Sequence, residues 1–114
     1  MTKPRRGDLW MVDLNPTVGR EQAGKRPALV ISVDELNHSA AELVIALPLT
    51  TRDKKIRSHV PVEPGEGGLR KRSFIKCEDV RSISVRRLER RLGSVSSDTL
   101  SGVEDRLRIL LGIY

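Results

Sequence analysis

Between Leu9 and Leu14, the residues Trp10, Val12 and Leu14 alternate with Leu9, Met11 and Asp13, the two-residue period of a strand. Asn15-Pro16 closes this segment, and NPTVGREQAGKR, with two glycines, a proline and four charged side chains, makes a long connection. Long charged loops in small proteins are commonly functional. Pro27 to Val33 (PALVISV) is an unbroken apolar run, too short for a helix and suited to a strand covered on both faces. Asp34 to Glu42 reads either as a short helix with Asp34 as its cap or as a polar connection. Leu43 to Leu49 is a third apolar run. Pro48 near its end, having no N–H, predicts that the strand leaves the sheet or lies at its edge there. His59 to Glu63 is a short alternating strand. Ser73 to Ile83 alternates until Val80 breaks the phase, which predicts a bulge near Glu78 or Asp79. After Ser96 or Ser97, both suited to capping, Leu100, Val103, Leu107, Leu110 and Leu111 recur every three to four residues. That spacing predicts an amphipathic helix with its apolar stripe on the sheet. Four or five strands and one terminal helix place the chain in the mainly β, α+β class. The expected architecture is a strongly bent antiparallel sheet or partly closed barrel, in one domain spanning 1–114.

Composition sharpens this picture. Of 114 residues, only 3% are aromatic, so aliphatic side chains must fill the core. Lysine and arginine number 21 against 15 acids, a net +6 that makes a polyanion the first partner to consider. Cys77 is the single cysteine, which excludes an internal disulfide and any multi-cysteine metal knuckle, and its strand phase predicts an inert buried thiol. No run approaches the ~18 apolar residues of a membrane span, and the basic start is followed by no signal-like apolar stretch. A soluble, cytoplasmic protein is expected, with no membrane partner. His38 and His59 stand in no spacing that suggests a catalytic base or a zinc site, and phosphate-loop and dinucleotide glycine motifs are absent. No metal and no cofactor are expected.

What remains is arginine beside carboxylates and hydroxyls near strand ends. Glu21 and Arg26 flank the first long loop, Thr50 and Thr51 end the third strand, and Glu78 and Arg81 lie at the expected bulge. A guanidinium offers a planar fork of donors for two phosphate oxygens and for the added charge of a pentacoordinate transition state. Arg86, Arg87, Arg90 and Arg91 read either as phosphate contacts or as an exposed basic turn that attracts an acidic partner. Arg52, Lys54, Lys55, Arg57, Arg70, Lys71 and Arg72 either hold a nucleic acid backbone or serve solubility.

RGDLWMVDLNPTVGREQAGKRPALVIS (6–32), LPLTT (47–51), SFIKCEDVRSIS (73–84) and LGSVS (92–96) together resemble the MazF/PemK family of toxin endoribonucleases, over nearly the whole chain. The resemblance implies an SH3-like five-stranded barrel with helices, forming a homodimer. It also implies metal-independent cleavage of single-stranded RNA at short sequence motifs. The residues it assigns to catalysis are Arg26, Thr50 and Glu21. Gln22, Lys25, Thr51, Arg52, Lys76, Glu78 and Arg81 would contact RNA. Where some relatives use a later arginine and acid, this chain has Lys76 and Glu78, so that version of the chemistry does not transfer directly. The implied partner is an antitoxin whose acidic, flexible tail lies across the RNA groove. The alternative on the same fold is a non-catalytic binding toxin, such as a gyrase inhibitor, dependent on its C-terminal helix, or an RNA-binding module.

Overall fold

The computed structural model describes residues 3–15 and 24–113. Seven strands occur among them: β1 (Asp8–Asp13), β2 (Lys25–Val30), β3 (Leu43–Thr50), β4 (His59–Val62), β5 (Ser73–Lys76), β6 (Arg81–Ser84) and β7 (Leu88–Ser94). The helices are α1 (Asp34–Asn37) and α2 (Ser97–Leu111). Hydrogen-bonded neighbours run β4-β5-β3-β2-β1-β7, with β6 joined to β3, and all pairs are antiparallel. The ends of this path, β4 and β7, do not pair, so the sheet is strongly bent and only partly closed. It carries seven strands where the resemblance implied five.

Strand β3 is the pivot. Its first half, Leu43–Ala46, pairs with β6, and its last two residues, Leu49 and Thr50, pair with β5. Pro48 falls between the two partners, so its missing N–H leaves no ladder bond unmade. The strand therefore continues through the proline and changes neighbour, rather than leaving the sheet. The same switch explains why 73–83 is two strands. A single 3₁₀ turn, Cys77–Asp79, takes the place of the expected bulge and carries the chain from one half of β3 to the other.

Alternation sends the apolar side chains to two cores, one on each face. Leu9, Leu29, Leu47, Leu49, Val62 and Ile75 lie on one side with Val103 of α2. Trp10, Val12, Ala28, Val30, Val44, Ala46 and Ile83 lie on the other. Each fully buried aliphatic side chain contributes about 1.5–3 kcal/mol, and Trp10, 7% exposed, serves as packing in the second core. Cys77 is buried in the first core, and burial pushes its thiol up to about 12.

The Ser96 Oγ accepts from the Thr99 N–H at 3.2 Å and so caps α2. Of the expected apolar stripe, Val103 is buried and Leu100 and Leu107 pack against the core. Leu110 and Leu111 do not. They are 46% and 55% exposed, with Ile109 and Ile113 exposed beside them, because the helix runs on past its contact with the sheet. The segment after β2 does form a helix, though of four residues and with Val33 rather than Asp34 at the cap position. Asn37 within it is buried and donates to the Ser32 carbonyl at 2.8 Å. No helix among the described residues is long and apolar enough to cross a membrane.

Candidate nucleic-acid interface

Strand register brings the site together. Ala28, Leu29 and Val30 of β2 pair with Pro48, Leu47 and Ala46 of β3. Carried two residues further, the same register sets Arg26 across from Thr50. Residues opposite one another in a ladder share a face, and Thr50 in turn pairs with Phe74 of β5. Lys76 lies two residues beyond Phe74, and Arg81 of β6 pairs with Ala46. Arg26, Thr50, Lys76 and Arg81 therefore lie on one face of the sheet, the last three at 24, 50 and 55 positions beyond Arg26 in sequence.

Each side chain is held differently. Arg26 is half-buried at the start of β2. Thr50 is 6% exposed, and its hydroxyl accepts from the Arg52 N–H at 3.2 Å, which turns the chain sharply and leaves the hydroxyl proton to donate. Lys76 is buried, with its Nζ 3.7 Å from the Asp79 carboxylate. One guanidinium nitrogen of Arg81 donates to both oxygens of Asp79 at 2.7 and 2.8 Å. Asp79 thus fixes two cations at the base of this face, and a carboxylate between them offsets the cost of burying both. Sequence reading passed over Asp79, although its place between Lys76 and Arg81 on a single turn was the available signal.

Glu78 is occupied by a different pair of groups. Its two oxygens meet Ser58 Oγ at 2.8 Å and His59 Nε2 at 2.9 Å. Burial works against its ionisation, but the hydrogen bonds from His59 and Ser58 outweigh it and hold the carboxyl below the usual glutamate range. His59 is buried opposite Lys76 in the β4–β5 ladder, so Glu78 ties the 3₁₀ turn to β4. Because the folded pKa is depressed, this stabilisation is present above the ordinary glutamate pKa and is lost as pH falls through the folded value. Thermal unfolding between about pH 5 and about 3 is expected to show a shallower acid limb for Glu78→Gln than for the parent. Parallel curves would detach Glu78 from acid stability.

The remaining sequence candidates spread out. Lys25 alternates to the opposite side of β2 from Arg26, and its Nζ lies 3.1 Å from Glu89 of β7. Thr51 and Arg52 are exposed in the loop after β3. Glu21 and Gln22 lie outside the described residues. Among the described residues, no three His, Cys, Asp or Glu side chains gather as a metal site. Arg90 and Arg91, which the sequence offers either as phosphate contacts or as part of an exposed basic turn, belong to strand β7 rather than to a turn.

A bent antiparallel sheet with basic side chains on one face at the end of its central strands defines a small β protein. The match is more specific than that: residues 5–111 fit the model of the PemK-like, MazF-like toxins of type II toxin-antitoxin systems, and the chain belongs to that family. It is similar to MazF from Deinococcus radiodurans, at 32% identity and a TM-score of 0.88 over 99% of this chain and 100% of that one. It is also similar to a chain of the MazE–MazF structure from the same organism, at 31% identity and a TM-score of 0.83 over 100% of both chains. A mycobacterial endoribonuclease solved in complex with its cognate antitoxin shares the fold, at 24% identity and a TM-score of 0.80 over 97% of each chain.

Proposed function

We propose that this toxin cuts single-stranded RNA by attack of a ribose 2′-hydroxyl on the adjacent phosphorus, expelling the 5′-oxygen. The O2′–P bond forms as the P–O5′ bond breaks, the 2′ proton passes to a base, and a proton is delivered to the leaving oxygen. The register that sets Arg26 across from Thr50 on the cationic face carries this reading. Arg26 grips the scissile phosphate and stabilises the charge that develops on it, where a forked donor is most effective. Thr50 donates its hydroxyl proton to a phosphate oxygen. Glu21 either orients Arg26 or accepts the 2′ proton.

Lys76 and Arg81, together with Gln22, Lys25, Thr51, Arg52 and Glu78 from other parts of the chain, hold the strand and read its unstacked bases. Lys76 and Arg81 enter this role already positioned by Asp79. The family reading also brings a homodimer and an antitoxin whose acidic tail covers the RNA groove, and the MazE–MazF relative supports that partner.

A second reading has one observation in its favour. The exposed Ile109, Leu110, Leu111 and Ile113 at the end of α2 suit a toxin that acts by protein contact. The test is incubation with RNA and with its all-deoxy equivalent in excess chelator. RNA alone should be cut, since DNA lacks the attacking hydroxyl. Cleavage of both, cleavage that requires added metal, or no cleavage by folded protein would count against the enzyme.

A further inference from the structure

On the sheet face opposite Arg26 and Thr50 lies a cavity of about 480 Å³. Met11, Pro27, Leu69 and Leu92 give it an apolar part, beside Thr51 and Ser73. Its rim is cationic, made by Arg70, Lys71, Arg90 and Arg91, with no acidic side chain in the lining among the described residues. Arg91 is partly neutralised, its Nε lying 3.2 Å from Asp8 Oδ1. Arg70, Lys71 and Arg90 are exposed and form no ion pair among the described residues. Three uncompensated cations around an apolar slot suit an anion that carries a flat apolar body.

The cavity lies close to the proposed cutting site, across the same end of the sheet. Pro27 follows Arg26 and Thr51 follows Thr50, and consecutive Cα atoms are about 3.8 Å apart. The two sites are thus the two sides of one sheet end, where β2 begins and β3 finishes. One nucleotide strand held by its phosphate at Arg26 therefore has the cavity within the reach of a neighbouring nucleotide.

Resting on the RNA-cleavage reading, we propose that this cavity binds a nucleotide of the same RNA strand, one or two positions from the cut. The base lies against Met11, Pro27, Leu69 and Leu92, and a flanking phosphate meets Arg70, Lys71 and Arg90. Guanidinium planes add stacking surface for an unstacked base, a role they fill in single-strand recognition. An acidic peptide would satisfy the cations as well, but it makes no use of the closeness of the cavity to the catalytic pair.

The experiment compares RNA oligonucleotides sharing one cut site and lengthened a nucleotide at a time at the 5′ or the 3′ end. For the parent protein, kcat/KM should rise when the strand grows on one of these sides. In Arg70→Gln/Lys71→Gln/Arg90→Gln, that rise should shrink at least tenfold while the shortest RNA is cut at the parental rate. Binding of the 2′-O-methyl form of the longest RNA should also lose about 0.7 from its slope of log K against log salt, the share of one neutralised phosphate on a single strand. An unchanged length dependence in the triple variant overturns the proposal. So does an equal loss on every length, or weaker binding of an acidic antitoxin peptide with the RNA gain intact. If the parent cuts no RNA, the cleavage reading falls, and the 2′-O-methyl RNA still reports directly on the cavity.

Discussion

Arg26→Ala is expected to lower RNA cleavage by roughly a thousandfold, about 4 kcal/mol of transition-state stabilisation, with little change in thermal stability. The size follows from what the guanidinium does. Attack by the 2′-oxygen spreads added negative charge over the phosphate oxygens, and a fixed forked donor stabilises that state more than the ground state. The small effect on folding follows from position. Arg26 is half-buried in the second residue of β2, while the buried core of that strand is Ala28, Leu29 and Val30. Arg26→Lys separates charge from geometry, since it keeps the cation and loses the planar fork, and should recover only part of the rate. Thr50→Ala removes one donor to the same phosphate and should fall between the parent and Arg26→Ala. Single-turnover kinetics on saturating RNA would show these as losses in the chemical step. An Arg26→Ala protein that cuts at the parental rate would remove the arginine from the mechanism.

The legible parts of the fold were those in which one side chain pattern does one job. β1, β2 and β3 announce themselves because each buries apolar side chains that alternation or a continuous run must supply. β7 does not, because it is an edge strand paired only with β1, through two register shifts, and LERRLGS needs few apolar residues. A row of arginines there resembles a turn until the pairing is seen. The helix overran its expected burial for a related reason: a 3.6-residue period describes which side is apolar and says nothing of where the underlying sheet ends. The candidate residues were chosen by type, and their placement was not legible in the sequence. Arg26 and Thr50 are 24 positions apart and fall on one face only by extension of the β2–β3 register, which no local pattern encodes. Asp79, which fixes Lys76 and Arg81, and His59, which occupies Glu78, are polar groups whose roles depend on the turn that replaced the expected bulge.

Gly93→Ala is expected to destabilise the protein by about 3 kcal/mol, lowering Tm by roughly 10 °C, although it adds one methyl group. A Cβ on Gly93 would stand 2.6 Å from the Gly67 carbonyl carbon and 2.8 Å from its oxygen. Both neighbours are backbone and no rotamer change relieves them. The approach is reciprocal, since a Cβ on Gly68 would meet the Leu92 carbonyl oxygen at 2.2 Å. Gly68 also has φ +77°, where side chains other than hydrogen are strained. Here the 3₁₀ turn Glu66–Gly68 lies backbone to backbone on β7, and the Glu66 carboxylate accepts from the Ser96 N–H at 3.0 Å. Forcing the turn away from β7 therefore opens the core over Leu9 and loosens the start of α2 together. The control is the same substitution at Gly102, inside α2, where the added carbon would meet Arg106 at 3.6 Å and Val60 at 3.8 Å, ordinary contact distances. Gly102→Ala should raise stability by about 0.5–1 kcal/mol through helix propensity alone. Denaturation of the two variants beside the parent should give opposite signs, and a neutral Gly93→Ala would mean that the turn and β7 are not in backbone contact.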